Sequence, residues 1–317
     1  MMGVEVKGLK DRLKALDVNR LVTVVIPTLN EEQGIAKVIE ELHSLGITNI
    51  LVVDGYSSDR TVDVARSLGA RVIYQHGKGK TGALKAAVEH VSTPYMLVMD
   101  GDYTYDASSI ERFLQHMDNY DEIIGARVPV DDASMSRLHK FGNAVITKVF
   151  NLLMNTNLSD VCSGMYMLKT DTMREIDLNT SGFDVEAEIA AQIASIGNIT
   201  EVPINYRARV GRQKLSTWKH GFRIITSIFN LAKVHNPGAF YSLLVSLLLI
   251  PAGIIFFNSF VEMMYTGKFS SNWFLVGVAL LLVAIQGMSI GVLSLVVKRS
   301  QMRLIRMMKR QIGKVYT

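Results

Sequence analysis

Cysteine is almost absent from this chain, because Cys162 is the only one among 317 residues. A single cysteine excludes an internal disulfide and agrees with folding in a reducing compartment. The seven histidines are scattered, and no two of them have the HxxxH spacing of a zinc site. The amino terminus mixes basic and acidic residues without an apolar stretch, so a cleaved signal peptide is not expected. These absences predict a fold that depends on neither disulfides nor structural zinc.

Charged residues are missing from two long stretches near the carboxyl terminus. Residues 240–260 form an uncharged run of 21 residues, and residues 273–297 form another of 25. Each run exceeds the roughly 20 residues that an α-helix needs to cross a bilayer. Two such runs in tandem favour membrane spans over buried core helices. We therefore expect an integral membrane protein with a transmembrane hairpin over 236–297.

Acidic residues are also missing from the tail that follows this hairpin. Residues 298–317 carry a charge of +7, while the whole chain carries +5, so everything before the tail sums to −2. The basic balance therefore belongs to the tail, and no nucleic-acid-binding surface is expected. Basic residues beside a membrane span stay in the cytoplasm. We expect a basic cytoplasmic tail and, because a hairpin returns to its starting side, a cytoplasmic amino-terminal domain.

Strand-like and helix-like segments alternate through the first part of the chain. Strands are predicted at 21–26, 50–53, 71–74, 95–99 and 122–125, with helices between them at 32–45, 60–68, 81–90 and 108–117. A helix, a strand, a helix and a strand then follow at 134–155, 164–169, 184–196 and 199–206. This alternation predicts an α/β fold, a Rossmann-like and mostly parallel sheet. Residues 1–20 are expected to form a helical extension before it.

Two further segments combine an apolar stripe at helical spacing with basic residues. One lies at 218–235, just before the first predicted span, and the other at 139–155. Basic amphipathic helices can lie in a membrane interface, but a helix packed on a domain core has the same stripe. We predict an interfacial helix at 218–235, since it leads into the membrane. For 139–155 both interpretations stay open.

Two carboxylates directly follow a strand-like run: Asp100 and Asp102 come after residues 95–99. Open α/β sheets bind ligands at the carboxyl ends of their strands. Two carboxylates at this spacing can hold one Mg²⁺ or Mn²⁺ against a diphosphate. An isolated pair of this kind is more often a solvated turn. Here polar residues, including Asn30 and Asp54, also follow two earlier strands, and this recurrence favours a binding site.

Residues 77–82 match the G-x-G-x-x-G fingerprint of dinucleotide-binding proteins. The match follows a strand and opens a helix, so an NAD-binding Rossmann protein is an alternative. The fingerprint belongs after the first strand, however, and this match follows the third. A P-loop fails because Tyr74 stands where a glycine is required. We interpret Lys78 and Lys80 as part of a basic, flexible loop near a diphosphate.

Several segments resemble glycosyltransferase family 2, whose members have the GT-A fold. Residues 24–32 resemble its opening strand and loop, residues 52–61 its second strand, and Asp100 with Asp102 its metal motif. Residues 123–127, 160–164 and 211–214 resemble one branch, the polyprenyl-phosphate (dolichyl-phosphate) sugar synthases, which include dolichol-phosphate mannose synthases. The resemblance covers about 21–216 and implies a GT-A catalytic domain over 21–217.

The resemblance implies an inverting hexosyltransferase that uses a nucleotide sugar and dolichyl or another polyprenyl phosphate. GDP-mannose, UDP-glucose and UDP-N-acetylglucosamine all remain open as donors. The residues implied for nucleotide-sugar binding are Pro27, Asn30, Glu31, Asp54, Lys80 and Asp100, with Mg²⁺ or Mn²⁺ on Asp100 and Asp102. Those implied for the acceptor phosphate are Arg127, Arg137, Arg209 and Lys214. The catalytic set comprises Asp102, Arg127, Arg209 and Lys214.

The sequence departs from the family pattern near the metal motif. Many members have Gln two residues after the second Asp, and here Thr104 stands there, with Asp106 further on. The outer metal ligands therefore stay open between these residues. The Gln-x-x-Arg-Trp motif of processive polysaccharide synthases is absent, which argues against a polymer product.

An acceptor phosphate changes what the chemistry requires. Its second pKa is near 6, so its oxygen is already an anion at neutral pH and needs no catalytic base. Asp184, Glu186 and Glu188 lie on one predicted helix and can orient sugar hydroxyls or form an exposed acidic face.

Besides the NAD-binding protein, a non-catalytic, membrane-tethered nucleotide-binding scaffold remains an alternative. The hairpin also allows a homo-oligomer.

Overall fold

The computed structural model describes residues 2–130, 137–178, 185–210 and 217–315. Within these ranges, side chains are described except at 2–7, 137, 139, 217–223 and 301–315. The chain divides into two compact units, residues 1–228 and residues 229–317. The first unit contains the sheet, and the second contains the two long apolar helices.

A seven-stranded sheet forms the centre of the first unit. Its strands are β1 (Val22–Thr28), β2 (Ile50–Asp54), β3 (Arg71–Tyr74), β4 (Tyr95–Val98), β5 (Glu122–Pro129), β6 (Tyr166–Lys169) and β7 (Ile199–Tyr206), in the order β3-β2-β1-β4-β6-β5-β7. Only β6 runs antiparallel to its neighbours, β4 and β5. The other strand pairs are parallel. The predicted mostly parallel α/β sheet is confirmed.

The central strands are continuous apolar runs because helices cover both of their faces. Val24, Val25 and Ile26 of β1 are fully buried. All five residues of β2 are buried as well, including its last residue, Asp54. Branched apolar side chains favour extended backbone, and burial on both faces removes the alternation expected of a half-exposed strand. This rigid centre fixes the positions of the loops that follow β1, β2 and β4.

Helices connect and cover these strands. Those of the first unit are α1 (Met2–Ala15), α2 (Val18–Leu21), α3 (Glu32–Ser44), α4 (Thr61–Ser67), α5 (Gly79–His90), α6 (Ile110–Leu114), α7 (Arg137–Met154), α8 (Thr170–Glu175) and α9 (Val185–Ile196). In α3 the buried positions recur at helical spacing: Ile35, Val38, Ile39 and Leu42 face the sheet. In α1, Leu9 and Leu13 join the same core. Helix α10 (Thr217–His235) then runs across the division between the two units.

The interpretation of Lys80 as part of a flexible loop is wrong. Helix α5 begins at Gly79, two residues earlier than predicted, so Lys80 lies in its first turn. The early start is possible because Gly82 packs against the preceding loop, where a Cβ would lie only 2.4 Å from the carbonyl oxygen of His76. The side chain of Lys80 is only 10% exposed. A helical backbone and burial together hold this lysine in place.

The second unit contains α11 (Pro237–Thr266) and α12 (Ser271–Val315). Asn236 caps α11 by accepting from the amide of Ala239 at 3.4 Å, and Gly267 ends it in the left-handed conformation, with φ of 66°. The two helices pack on each other through small residues: a Cβ on Gly291 would lie 2.8 Å from Tyr241. Both helices are long and apolar enough to cross a membrane. They agree with the predicted hairpin.

Candidate active site

The acidic pair lies at the carboxyl end of β4, against the carboxyl end of β1. The amide of Met99 donates to the carbonyl of Val25, which keeps the chain beside β1 as β4 ends. Two glycines then allow the turn to pack tightly. A Cβ on Gly34 would lie 2.5 Å from the carbonyl oxygen of Gly101, and one on Gly101 would lie 2.9 Å from Thr28. The D-G-D turn therefore sits directly on β1 and the start of α3.

Asp102 is buried and held by three donors. Its Oδ1 accepts from the Thr104 hydroxyl at 2.6 Å and from the Thr104 amide at 3.2 Å. Its Oδ2 lies 3.1 Å from Nη1 of Arg209. Burial, and then the negative charge of Asp100, raise the pKa of Asp102. Thr104, which stands at the position of the expected glutamine, thus orients this carboxylate.

Asp100 is held by Lys80 and by a close contact with backbone. Nζ of Lys80 donates to Oδ1 of Asp100 at 2.7 Å. On the other side, a Cβ on Gly164 would lie only 2.3 Å from Oδ2 of Asp100. The amide of Gly164 donates to the buried hydroxyl of Tyr105 at 2.7 Å, which fixes this glycine. The acidic pair thus depends on residues from three separate parts of the chain.

Lys80 also contacts a second carboxylate, that of Glu186 in α9. The distance from Nζ to Oε1 is 2.7 Å, and the two side chains are 10% and 8% exposed. Burial works to lower the pKa of Lys80, but Asp100 and Glu186 hold it well above its usual range. Burial raises the pKa of Glu186 against the opposing effect of Lys80. The sequence left Glu186 open between orienting sugar hydroxyls and forming an exposed acidic face. Its burial contradicts the exposed face, and the structure adds its contact with Lys80.

Arg209 joins the acidic pair to the loop after β1. Besides Asp102, its guanidinium bonds to the carboxylate of Glu31. The backbone of this segment is attached to the same turn, since the amide of Val210 donates to the carbonyl of Asp102 at 3.1 Å. Three of the predicted residues, Glu31, Asp102 and Arg209, therefore lie together.

The loops after β1 and β2 are tied together by Asn30 and Asp54. Asp54 is fully buried and accepts from the amide and hydroxyl of Ser57 at 2.8 and 2.5 Å. Asn30 has a left-handed backbone, with φ of 53°, and accepts from the amide of Ser58 at 2.7 Å. Pro27 lies in β1, half-buried. In this structure the carboxylate of Asp54 is engaged within the loop. Its part in binding a nucleoside stays a prediction.

Arg127 forms a bidentate ion pair with Asp160. Its Nε and Nη2 donate to Asp160 at 2.6 and 2.8 Å, and its guanidinium lies 5.4 Å from the ring centre of Tyr206. Arg137 begins α7, but its side chain lies outside the described part of the chain. Lys214 and Asp184 also lie outside the described residues. The acceptor-phosphate set therefore stays a prediction.

The donor set at the acidic pair fits a divalent cation that also has ligands from elsewhere. Asp100 and Asp102 offer carboxylate oxygens, which Mg²⁺ and Mn²⁺ prefer. In the described ranges, no group of three or more His, Cys, Asp and Glu is arranged to hold a metal. Asp106 instead accepts from Ser108 and Asn205, which engages its carboxylate away from the pair. On the predicted assignment the protein would offer two ligands, Asp100 and Asp102, and the oxygens of a diphosphate would offer others.

Comparisons with a family model and with known proteins point to the same family. The model of "Glycosyl transferase family 2" matches residues 23–177. Glycosyltransferase AglJ of Haloferax volcanii is 34% identical over 222 residues, which cover 68% of this chain and 73% of that protein. The dolichyl-phosphate hexose transferase of the same organism is 35% identical over 209 residues, which cover 65% of this chain and 91% of that protein.

Solved structures have the same fold at lower identity. Glucosyl-3-phosphoglycerate synthase from Mycobacterium tuberculosis, in complex with Mn²⁺, uridine-diphosphate-glucose and phosphoglyceric acid, has a TM-score of 0.55 and 19% identity. The match covers 71% of this chain and 84% of that one. At this identity the likeness establishes the fold.

Proposed function

Because this chain belongs to glycosyltransferase family 2, we propose that it transfers a hexose from a nucleotide sugar to dolichyl phosphate or another polyprenyl phosphate. We further propose that the transfer inverts the anomeric centre and takes place at the cytoplasmic face of a membrane. The relative named dolichyl-phosphate hexose transferase, of which 91% is covered, supports this acceptor. The two long apolar helices support a membrane location.

The observation that carries the proposal is the acidic pair with a basic residue on each carboxylate. Asp100 bonds to Lys80 and Asp102 bonds to Arg209. Asp100 and Asp102 would hold Mg²⁺ or Mn²⁺, which when bound neutralises charge on the departing diphosphate. Lys80 and Arg209, which already contact the pair, would then be available to phosphate oxygens. A site in which each carboxylate pairs with a basic side chain offers groups for both a divalent cation and phosphate oxygens. This suits a reaction between two phosphate-bearing substrates.

The acceptor provides its own nucleophile in this proposal. A phosphate monoester oxygen attacks the anomeric carbon as the bond from that carbon to the diphosphate oxygen breaks, giving a lipid phosphodiester and a nucleoside diphosphate. No proton has to leave the attacking oxygen, since it is an anion at neutral pH. The protein has to align the two phosphates and screen their repulsion. Arg209 lies beside Asp102 and suits this task, while Arg127, Arg137 and Lys214 complete the proposed acceptor set.

A transfer assay with a panel of donors tests the proposal. The full-length protein in detergent is incubated with dolichyl phosphate and radiolabelled GDP-mannose, UDP-glucose or UDP-N-acetylglucosamine, and label is counted in the organic phase. We expect one donor to label the lipid, with the signal lost in excess EDTA and in Asp102→Asn. Nucleotide binding without labelled lipid from any donor would instead indicate a scaffold. Full activity in EDTA would contradict the metal site.

A further inference from the structure

The site has two halves, one around Asp100 and one around Asp102. In each half a basic residue lies between two carboxylates. Nζ of Lys80 is 2.7 Å from Oδ1 of Asp100 and 2.7 Å from Oε1 of Glu186. Arg209 bonds to Asp102 at 3.1 Å through Nη1 and to Glu31 through Nη2. In each half, one carboxylate belongs to the D-G-D turn and the other comes from a different helix or loop.

We propose that Glu186 and Glu31 are positioning residues that retain Lys80 and Arg209 beside the site when a divalent cation takes Asp100 and Asp102. The inference rests on the proposed function, because it takes the acidic pair as the cation site. Lys80 occupies Oδ1 of Asp100 and Arg209 occupies Oδ2 of Asp102. A cation that binds these two oxygens therefore displaces the ammonium and the guanidinium from one partner each.

Burial makes the second partner necessary. Lys80 is 10% exposed and Arg209 is 25% exposed, so water does not replace a lost carboxylate fully. A buried cation without a counterion is strongly disfavoured, whereas one that keeps a carboxylate is not. Glu186 is 8% exposed and Glu31 is 11% exposed, and both stay in contact after the exchange. The second carboxylate thus reduces the cost of releasing the first.

The retained cations also have a use once the exchange has occurred. Lys80 and Arg209 each lie within bonding distance of one carboxylate of the pair, on separate oxygens. After release they remain next to the place where diphosphate oxygens arrive. The same two side chains therefore neutralise the acidic pair before donor binding and the phosphates after it.

A double-mutant cycle on Mn²⁺ affinity tests this inference without relying on activity. Mn²⁺ binding to the full-length protein is measured by electron paramagnetic resonance, without nucleotide, for Lys80→Met, Glu186→Gln and the double variant. Lys80→Met should tighten binding roughly tenfold, because a competing cation is removed. Glu186→Gln should weaken it several-fold, since Lys80 then depends on Asp100 alone. In the Lys80→Met background the Glu186→Gln effect should fall below about twofold.

The cycle separates positioning from plain attraction between charges. If Glu186 only adds negative charge, Glu186→Gln weakens Mn²⁺ binding equally in both backgrounds, and the inference is overturned. Lys85→Met, which removes an exposed lysine from the same helix, is the matched control and should leave the affinity unchanged. The other half provides an independent cycle with Arg209→Met and Glu31→Gln, which decides the question if Lys80→Met does not fold.

The outcomes also separate this inference from the proposed function. Wild-type protein that binds no Mn²⁺, with or without GDP or UDP, contradicts the metal site and the inference together. Wild-type protein that binds Mn²⁺ and shows no coupling in either cycle contradicts the inference alone.

Discussion

At Gly164 the absence of a side chain leaves room for the acidic pair. A Cβ there would lie 2.3 Å from Oδ2 and 2.9 Å from Cγ of Asp100. The glycine cannot withdraw, because its amide is bonded to the buried hydroxyl of Tyr105. Any larger residue must therefore push the Asp100 carboxylate away from its place beside Lys80.

Gly164→Ala should reduce transfer roughly 100-fold, the cost of a misplacement of about 1 Å at a reacting centre. Initial rates under saturating Mn²⁺ measure this. Gly142→Ala is the control, since a Cβ at Gly142 meets nothing within 4 Å. Equal rates in the two variants would contradict the assigned role of Asp100.

Glu122 is a buried acid whose ionisation opposes folding. It is 2% exposed, and burial, together with the charge of Glu186, raises its pKa well above the usual range. The folded state therefore keeps a proton that the unfolded state loses above about pH 4.5. Below that pH the protonated Glu122 does not reduce the free energy of unfolding. As pH rises above it, the free energy of unfolding declines by at most about 1.4 kcal/mol per pH unit.

Glu122→Gln should therefore raise the thermal midpoint at pH 8 and leave it nearly unchanged at pH 4. Thermal unfolding of the full chain in detergent, followed by circular dichroism at both pH values, measures the effect. A variant that is destabilised equally at the two pH values would show that the carboxyl group has a structural role instead.

Local patterns predicted the acidic pair but not its partners. Asp100 and Asp102 follow a recognisable apolar strand, so their place at a strand end could be predicted from a few neighbouring residues. The Lys80 contact with Glu186 and the Arg127 pair with Asp160 join residues far apart in sequence. Such pairs depend on how α5, α9 and β5 are placed in the fold, which no single segment encodes.

At the scale of elements, strand order was the part that local pattern could not provide. The alternation of strands and helices indicated a mostly parallel sheet, because connections through helices favour parallel neighbours. It did not indicate that β6 enters antiparallel between β4 and β5. The apolar pattern of a four-residue buried strand does not indicate in which direction the strand runs. Its direction is visible only in the folded sheet, where it pairs antiparallel with both β4 and β5.

Helix α7 leaves one apolar stripe uncovered. Leu138, Phe141, Val145 and Leu152 are 44, 69, 36 and 63% exposed, and they recur at helical spacing. Lys140 and Lys148 are exposed on the same helix, which has no acidic residue. The opposite face of α7 packs on the domain core, since Phe150 and Leu153 are fully buried. The uncovered stripe beside exposed lysines therefore favours an interfacial contact on the outer face of the same helix.

Phe141→Glu should raise the KM for dolichyl phosphate in anionic lipid vesicles several-fold, because it places a charge on the apolar stripe. The affinity for nucleoside diphosphate should not change. Leu16→Glu, at a residue that is 48% exposed on another surface segment, is the matched control. An unchanged KM in Phe141→Glu would contradict membrane contact by α7.

At the scale of the whole molecule, charge is segregated along the chain. The tail at 298–317 carries +7 and the rest of the chain sums to −2, with the two apolar helices before the tail. Basic residues next to a span favour the cytoplasmic side. This asymmetry predicts that both termini are cytoplasmic and that the connector at 261–272 is the only segment exposed on the far side of the membrane.

Single cysteines at Ser271 and Ser300, in a Cys162→Ser background, test that topology. Both serines are exposed, and they lie at opposite ends of the apolar part of α12. An impermeant maleimide should label Ser271→Cys in intact cells and Ser300→Cys only after permeabilisation. Labelling of both positions in intact cells would contradict the hairpin.

The choice of acceptor tests the central claim most directly. The protein with its preferred labelled nucleotide sugar and Mn²⁺ is given dolichyl phosphate in one reaction and dolichol in a parallel one, and label in the extracted lipid is counted. We predict label on dolichyl phosphate and none on dolichol, because the nucleophile is the phosphate anion and no base is assigned to activate an alcohol. Equal labelling of dolichol, or no labelling of dolichyl phosphate, would contradict the account.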